Sequence, residues 1–176
     1  MLKLKYFDRI DLAKPLAGFL YQAALPYLRE IDYFVPIPLH WRRLWRRRYN
    51  QATELAHQLS RLTKIQTGRE IPVLHNVLLR IKHTESQGTK SYPHRLRNMQ
   101  GAFAVRGEDL VESKNTLKGK RIALIDDVYT TGATIKGCAK ALERTITTDH
   151  IYAFTVARVI RGERYFGAGE GNRTPV

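Results

Sequence analysis

The chain has 176 residues, of which 43% are hydrophobic, a length and composition suited to one domain with a buried core. Its 30 lysines and arginines outnumber 16 acidic residues, and the resulting formal net charge of +14 favours polyanionic partners. No apolar run is long enough to span a membrane, the opening MLKLKYFDRID contains no apolar signal segment, and a single cysteine excludes an internal disulfide framework. These features predict a soluble, cytoplasmic protein.

The positive charge is concentrated in two segments. Residues 42 to 48 carry five arginines and no acid, and residues 80 to 97 carry five lysines or arginines against Glu85 alone. Both segments predict contacts with something negatively charged, although a solvated basic surface would have the same composition.

The first half of the chain predicts a helix, a strand and a second helix. Apolar residues recur at helical spacing after Asp11, namely Leu12, Leu16, Phe19, Leu20 and Ala23. The run YFVPI, at 33 to 37, is β-prone and is followed by Pro38, where a strand should end. Asn50 is the expected N-cap of the second helix, whose apolar face is Ala52, Leu55, Ala56, Leu59 and Leu62.

The second half predicts further strands and one more helix, which completes an α/β fold. Strands are predicted at 71 to 79, 102 to 105, 121 to 125 and 150 to 159, and a helix is predicted from about Thr134. The strand at 121 to 125 is apolar enough to be buried on both faces of a parallel sheet. We expect one domain at residues 1–166 and a disordered tail at 167–176, where nothing can pack.

The sequence IALIDDVYTTGAT, residues 122 to 134, predicts a phosphate site. Asp126 and Asp127 follow a buried strand, where carboxylates can accept hydrogen bonds from vicinal ribose hydroxyls. Hydroxyl donors, a glycine and the free N–H groups of a helix start come next, at Thr130, Thr131, Gly132, Ala133 and Thr134. A Walker B strand would need an upstream Walker A motif, which the sequence does not contain, and a phosphoacceptor receiver would carry its acids near the first strand.

All thirteen positions of this string resemble the phosphoribosyl pyrophosphate (PRPP) signature of type I phosphoribosyltransferases. The resemblance implies their fold, a mainly parallel central sheet with helices on both faces, and a glycosyltransferase that uses PRPP with Mg²⁺. It implies a catalytic role for Asp126 and Asp127 at the ribose 2- and 3-hydroxyls, and 5-phosphate binding by residues 130 to 134. No motif identifies the acceptor of the phosphoribosyl group.

About residues 1 to 160 resemble the ComF, or competence protein F, branch of this superfamily. The similar parts are VPIPLHWRRLWRRRYNQATELA, at 35 to 56, and the spaced residues Arg80, Thr84, Gln87, Arg95, Asn98, Gly101 and Phe103. Members of this family commonly begin with a four-cysteine zinc module, which this sequence lacks. The family's link to DNA uptake implies single-stranded DNA and DNA-processing proteins as further partners.

Two uses of these segments remain open. In a transferase, the amides of Ile37, Leu39 and His40 would meet pyrophosphate, and the loop after Arg80 would close as a lid that excludes water. In a non-catalytic protein, the arginines and the interleaved aromatic residues would bind single-stranded DNA. The residues assigned to the lid or to a nucleic-acid contact are Arg46, Arg47, Arg48, Arg80, Gln87 and Arg95.

Overall fold

The computed structural model describes residues 13–39, 49–81, 101–106 and 115–159. The elements in chain order are α1 (Ala13–Ala24), β1 (Tyr33–Pro36), α2 (Gln51–Thr67), β2 (Leu78–Arg80), β3 (Phe103–Val105), β4 (Arg121–Tyr129), α3 (Ala133–Glu143) and β5 (His150–Arg158). Their alternation confirms the α/β class. Within the described ranges, no helix is both long and apolar enough to cross a membrane.

Three strands form a parallel sheet in the order β1, β4, β5. Tyr33 of β1 pairs with Ile122 of β4, and Arg121 of β4 pairs with His150 of β5. Val73 forms a parallel bridge to Phe34, so the chain after α2 runs along the outer side of β1. The strands β2 and β3 form a separate antiparallel pair.

The two faces of the sheet are covered by different elements. Because side chains alternate along a strand, Ala123 and Ile125 pack with Phe34 against α1 and α2. Ile122 and Leu124 pack on the opposite face against α3 and the β2–β3 pair. The expected parallel sheet with helices on both faces is therefore confirmed for these strands, whereas the finer assignment to the type I phosphoribosyltransferase fold stays a prediction.

The buried face of helix α1 overlaps only in part with the expected one. Its buried residues are Ala13, Ala17, Leu20 and Ala24. Phe19 is 70% exposed, and Ala23 is exposed as well. Alanines on the buried side let the backbone of α1 lie close to its neighbours, which a phenylalanine there would prevent. The expected burial of Phe19 and Ala23 was wrong for that reason, whereas Leu16 and Leu20 of the expected face do pack into the core.

The predicted strand at 71 to 79 is only partly present. Val73 forms a single bridge, and regular strand structure begins at Leu78. Ile71 is nevertheless fully buried, and its carbonyl accepts a 2.5 Å hydrogen bond from the Ser60 hydroxyl. The apolar residues of this segment therefore belong to the core without forming a continuous strand.

Candidate functional site

The acidic pair lies within β4. The strand was expected to end at Ile125, but it continues through Asp126 and Asp127 to Tyr129 because β5 pairs alongside it as far as Arg158. The carboxylates therefore stand on rigid backbone at the carboxyl end of the central strand. Successive side chains leave a strand on opposite faces, so the two aspartates approach this end of the sheet from different sides.

Asp126 faces the side of the sheet that is covered by α3. Its Oδ1 accepts a 2.9 Å hydrogen bond from the Asp127 amide. Burial, together with the adjacent Asp127 carboxylate, raises the pKa of Asp126 from 3.8 to about 8. In the ligand-free protein at neutral pH this acid is therefore mostly protonated, and it gains its charge only when a ligand or a higher pH favours ionisation.

Arg80 and Cys138 lie close to Asp126. Burial raises the pKa of Asp126, and the Arg80 guanidinium partly offsets this by lowering it, because a nearby cation favours the carboxylate. Cys138, buried on α3, has a pKa raised by burial and by Asp126. Arg80 is the last residue of β2, and its guanidinium carbon lies 5.5 Å from the Phe103 ring centre. Arg80 is thus packed against Phe103 close to Asp126, and its expected role in the lid or in a nucleic-acid contact stays a prediction.

The expected phosphate loop connects β4 to α3. Gly132 occupies the N-cap with a φ of 71°, and its carbonyl accepts the first helical hydrogen bond, 2.9 Å from the Lys136 amide. The Thr131 hydroxyl accepts a long 3.4 Å hydrogen bond from the Ala133 amide. Thr130 is exposed, and Thr134 is partly buried in the first turn of the helix. The structure thus brings residues 130 to 134 together directly after the two aspartates.

Tyr129 and Arg158 are two residues of this region that were not predicted. The Tyr129 hydroxyl lies only 2.6 Å from the position that a Cβ on Gly132 would occupy. The Arg158 guanidinium carbon lies 5.5 Å from the centre of the Tyr129 ring. The sequence signal for Tyr129 was weak, since its position in the motif is that of a hydrophobic spacer. Arg158 has no signal in the sequence, because only the pairing of β4 with β5 brings it here.

The segment expected to meet pyrophosphate begins beside the same edge of the sheet. The Ile37 backbone amide donates to the Ile125 carbonyl at 2.9 Å, and the Ile37 carbonyl accepts from the side-chain Nδ2 of Asn50 at 3.0 Å. The N–H of Ile37 is therefore engaged within the protein, which removes it from the three amides expected to bind pyrophosphate. Leu39 is partly buried at the end of this described range.

Six of the expected site residues fall outside the described ranges: His40, Arg46, Arg47, Arg48, Gln87 and Arg95. The same holds for the expected domain limit at residue 166 and for the tail after it. In the part of the chain that is described, no group of three or more histidines, cysteines or carboxylates is placed to hold a metal ion.

Known proteins with similar sequences share names connected with competence and DNA utilization. No protein-family model matches the chain. It is 35% identical over 161 residues to Competence protein F of Haemophilus influenzae, covering 89% of this chain and 65% of that protein. It is 31% identical over 147 residues to DNA utilization protein YhgH of Escherichia coli K12, covering 81% of this chain and 59% of that protein.

A third relative is Competence protein ComFC of Bacillus subtilis, which is 34% identical over 125 residues, 70% of this chain and 43% of that protein. The chain thus spans between 43% and 65% of the length of these three relatives. The ComF-like segments quoted from the sequence and these matches agree. The chain belongs to the ComF family.

Proposed function

We propose that this chain binds PRPP together with Mg²⁺ at the carboxyl end of β4 and transfers the phosphoribosyl group to an acceptor. One observation carries the proposal: Asp126 and Asp127 lie near the end of a central parallel strand, and the loop at 130 to 134 leads from that strand into the start of a helix. In parallel sheets, ligands bind beyond this end of the strands. A helix start also offers free N–H groups and a positive dipole to a phosphate.

Each part of the site has a separate role in this proposal. The carboxylates of Asp126 and Asp127 accept hydrogen bonds from the ribose hydroxyls, and the hydroxyls of Thr130, Thr131 and Thr134 donate to the 5-phosphate. Because Asp126 has a raised pKa, ribose or cation binding must favour its ionised form, and Arg80 assists that ionisation. Ligand binding near neutral pH should therefore release a proton.

The donor chemistry of the site fits Mg²⁺, which proteins usually hold through one or two carboxylates together with substrate phosphates. When bound with PRPP, the ion would neutralise charge that develops on the departing pyrophosphate. The protein's own contribution is to fix the ribose and its 5-phosphate, so that the anomeric carbon faces the acceptor in a constant geometry.

Calorimetry with PRPP and Mg²⁺ tests this function. We expect binding to the unaltered protein and a loss of at least about tenfold in affinity in the Asp126→Asn, Asp127→Asn double variant, because charge-assisted hydrogen bonds are removed. Asp149→Asn is the matched control, since Asp149 lies at the other end of the sheet in an exposed ion pair with Arg121. No heat of binding with the unaltered protein, or equal affinity in the double variant, would contradict the proposal.

A second candidate function is the binding of single-stranded DNA. The names of the relatives refer to competence and DNA utilization, and one described surface is suitably charged. Exposed cations recur every fourth residue along α3 and its C-cap, at Lys136, Lys140 and Arg144. Lys118 and Lys120 are exposed beside the end of this helix, where the Gly119 amide donates to the Thr147 carbonyl at 2.8 Å. We call these five cations the α3 basic surface.

Charge complementarity supports DNA as the partner of the α3 basic surface. Among the described residues, none of its five cations has an ion pair, and Glu143 is the acidic residue on the same helix. A simpler role exists for Lys140 and Arg144, because cations near a helix C-terminus stabilise the helix dipole. A binding experiment must therefore distinguish a direct effect on DNA binding from an effect on helix stability.

Salt-dependent binding of a labelled single strand makes that distinction. The Lys136→Ala, Lys140→Ala variant should bind more weakly and should lower the slope of log affinity against log salt by roughly 1 for each phosphate that the protein no longer neutralises. Lys14→Ala with Arg61→Ala removes the same charge from α1 and α2 and is the matched control. If both double variants bind equally weakly, only net charge matters and the α3 basic surface is not the binding site.

A further inference from the structure

The side chain of Tyr129 lies against the loop that we propose to bind phosphate. A Cβ on Gly132 would be 2.6 Å from the Tyr129 hydroxyl oxygen and 3.0 Å and 3.1 Å from two ring carbons. Gly132 is also the N-cap of α3. The phenol therefore lies against the residue that caps the start of α3.

Three contacts hold Tyr129 in this position. Tyr129 pairs with Arg158 in the register of β4 and β5, and its carbonyl accepts a 2.8 Å hydrogen bond from the Val159 amide. The Arg158 guanidinium carbon lies 5.5 Å from the ring centre, at a distance that allows a cation–π contact. Because its backbone is paired with β5 and its ring lies beside Arg158, Tyr129 holds this orientation without a ligand.

The hydroxyl of Tyr129 has no hydrogen-bond partner among the described residues, although the side chain is partly buried. Tyrosine is usually placed so that its ring is packed and its hydroxyl is bonded. Here the ring is packed, and the hydroxyl points to a loop whose other donors are N–H groups and threonine hydroxyls. A tyrosine hydroxyl beside such donors suits an oxygen-rich anion, to which it donates a charge-assisted hydrogen bond.

We propose that Tyr129 is a ligand-binding residue whose hydroxyl donates a hydrogen bond to the 5-phosphate held at residues 130 to 134. The inference rests on the proposed ribose 5-phosphate site and adds a specific donor to it. Arg158 is the positioning residue, because it acts on the phosphate through the Tyr129 ring. The Tyr129–Arg158 pair would favour ligands that carry a sugar phosphate monoester over inorganic pyrophosphate.

Titration of the Tyr129→Phe variant with ribose 5-phosphate and, separately, with inorganic pyrophosphate tests the inference. The variant keeps the ring and its contact with Arg158 but has no hydroxyl. We expect affinity for ribose 5-phosphate to fall roughly tenfold, because a hydrogen bond to a charged group is removed, while affinity for pyrophosphate and the melting temperature stay unchanged. Tyr33→Phe, at the opposite end of the sheet, is the matched control.

The possible outcomes separate this inference from the proposed function. If the unaltered protein binds PRPP and ribose 5-phosphate, and Tyr129→Phe binds ribose 5-phosphate equally well, the role of the hydroxyl is disproved and the proposed function stands. If the unaltered protein binds neither ligand, both fail. If Tyr129→Phe weakens both ribose 5-phosphate and pyrophosphate, the hydroxyl is not specific for the 5-phosphate and the inference is overturned.

A double-mutant cycle tests the role given to Arg158. Arg158→Gln should weaken ribose 5-phosphate binding in the unaltered background, and it should have little further effect in the Tyr129→Phe background, because its influence passes through the tyrosine. Equal effects in both backgrounds would show that Arg158 acts on the ligand directly and would overturn its assignment as a positioning residue.

Discussion

Two separate constraints act on Gly132. Its φ of 71° lies in the left-handed region, and an added Cβ would collide with the Tyr129 side chain. Gly68, at the C-cap of α2, has a similar φ of 74° but has no atom within 4 Å of the corresponding Cβ position. The two glycines therefore allow the backbone effect to be measured with and without a steric collision.

We expect Gly68→Ala to lower the free energy of unfolding by about 1 kcal/mol, which is the effect of the left-handed backbone alone. Gly132→Ala should lower it further and should also weaken PRPP binding, because the loop must move away from Tyr129. Urea denaturation and calorimetry measure the two effects. If Gly132→Ala is no more destabilising than Gly68→Ala, the contact with Tyr129 does not restrict this position.

Asp126 should make stability fall as pH rises. Its pKa is raised from 3.8 to about 8 in the folded protein, so between these values the folded state holds a proton that the unfolded state has released. Each pKa unit of such a difference corresponds to about 1.4 kcal/mol. This contribution to stability is complete below pH 3.8 and is lost as pH rises through about 8.

We therefore expect Asp126→Asn to raise the free energy of unfolding at pH 8 and to flatten its decline between pH 5 and pH 8, since an amide needs no proton. Urea denaturation at several pH values provides the measurement, and the exposed Asp149→Asn is the control. A parallel decline in the variant and the unaltered protein would show that another group binds the proton.

The oxygen and the nitrogen of the Asn50 side-chain amide both form hydrogen bonds at the N-terminus of α2. The Asn50 oxygen accepts a 3.2 Å hydrogen bond from the Ala52 amide, and the Asn50 nitrogen donates to the Ile37 carbonyl at 3.0 Å. Because the Ile37 backbone amide donates to the Ile125 carbonyl of β4, Asn50 connects the start of α2 to the central strand through Ile37.

Replacing Asn50 should separate these two contributions. Asn50→Asp keeps the capping oxygen but removes the donor to Ile37, whereas Asn50→Ala removes both. We expect the free energy of unfolding to fall by about 1 kcal/mol for the aspartate and about 2 kcal/mol for the alanine, measured by chemical denaturation. Equal decreases would mean that the hydrogen bond to Ile37 contributes nothing to stability.

The sequence predicted the helices and strands best where their ends depend on the backbone preference of a single residue. The N-cap Asn50 correctly predicted the start of α2, and the predicted start of α3 at about Thr134 is within one residue of the observed start at Ala133. The sequence-based predictions were less reliable for features that depend on packing between elements. The buried face of α1 and the end of β4 depend on which element lies alongside, and such partners are far away in the chain.

The candidate site also contains some residues that the sequence predicts locally and others that only packing brings there. The two aspartates and the threonine–glycine loop are contiguous in sequence, so their grouping was expected. Strand pairing alone brings Arg158 beside Tyr129, and packing against the sheet brings Arg80 close to Asp126. A single sequence does not contain those distances, so Tyr129 and Arg158 were not predicted and Arg80 was not expected beside Asp126.

At the scale of the whole molecule, net charge should lower stability. A formal charge of +14 on 176 residues produces repulsion that is stronger in the compact state than in the unfolded chain. Against it, the exposed ion pairs Lys64–Glu70 and Arg121–Asp149 each contribute at most about 1 kcal/mol.

Raising sodium chloride to about 0.15 M shortens the screening length to about 8 Å and should increase the free energy of unfolding by about 1 kcal/mol. Urea denaturation at low and at moderate salt checks this expectation, and an uncharged osmolyte at equal osmolality is the control. A decrease in stability would show that the attractive pairs outweigh the repulsion.

The position of β4 in the sheet has a consequence for protein synthesis. Tyr33 of β1 pairs with Ile122, so the central strand is made long after its first neighbour. When α1, β1 and α2 of a growing chain have emerged from the ribosome, the chain still lacks Ala123 and Ile125, which fill the core between these elements. Translation must pass the central strand before the sheet can close, and products that stop short of it would keep Phe34 uncovered and become substrates for chaperones and proteases.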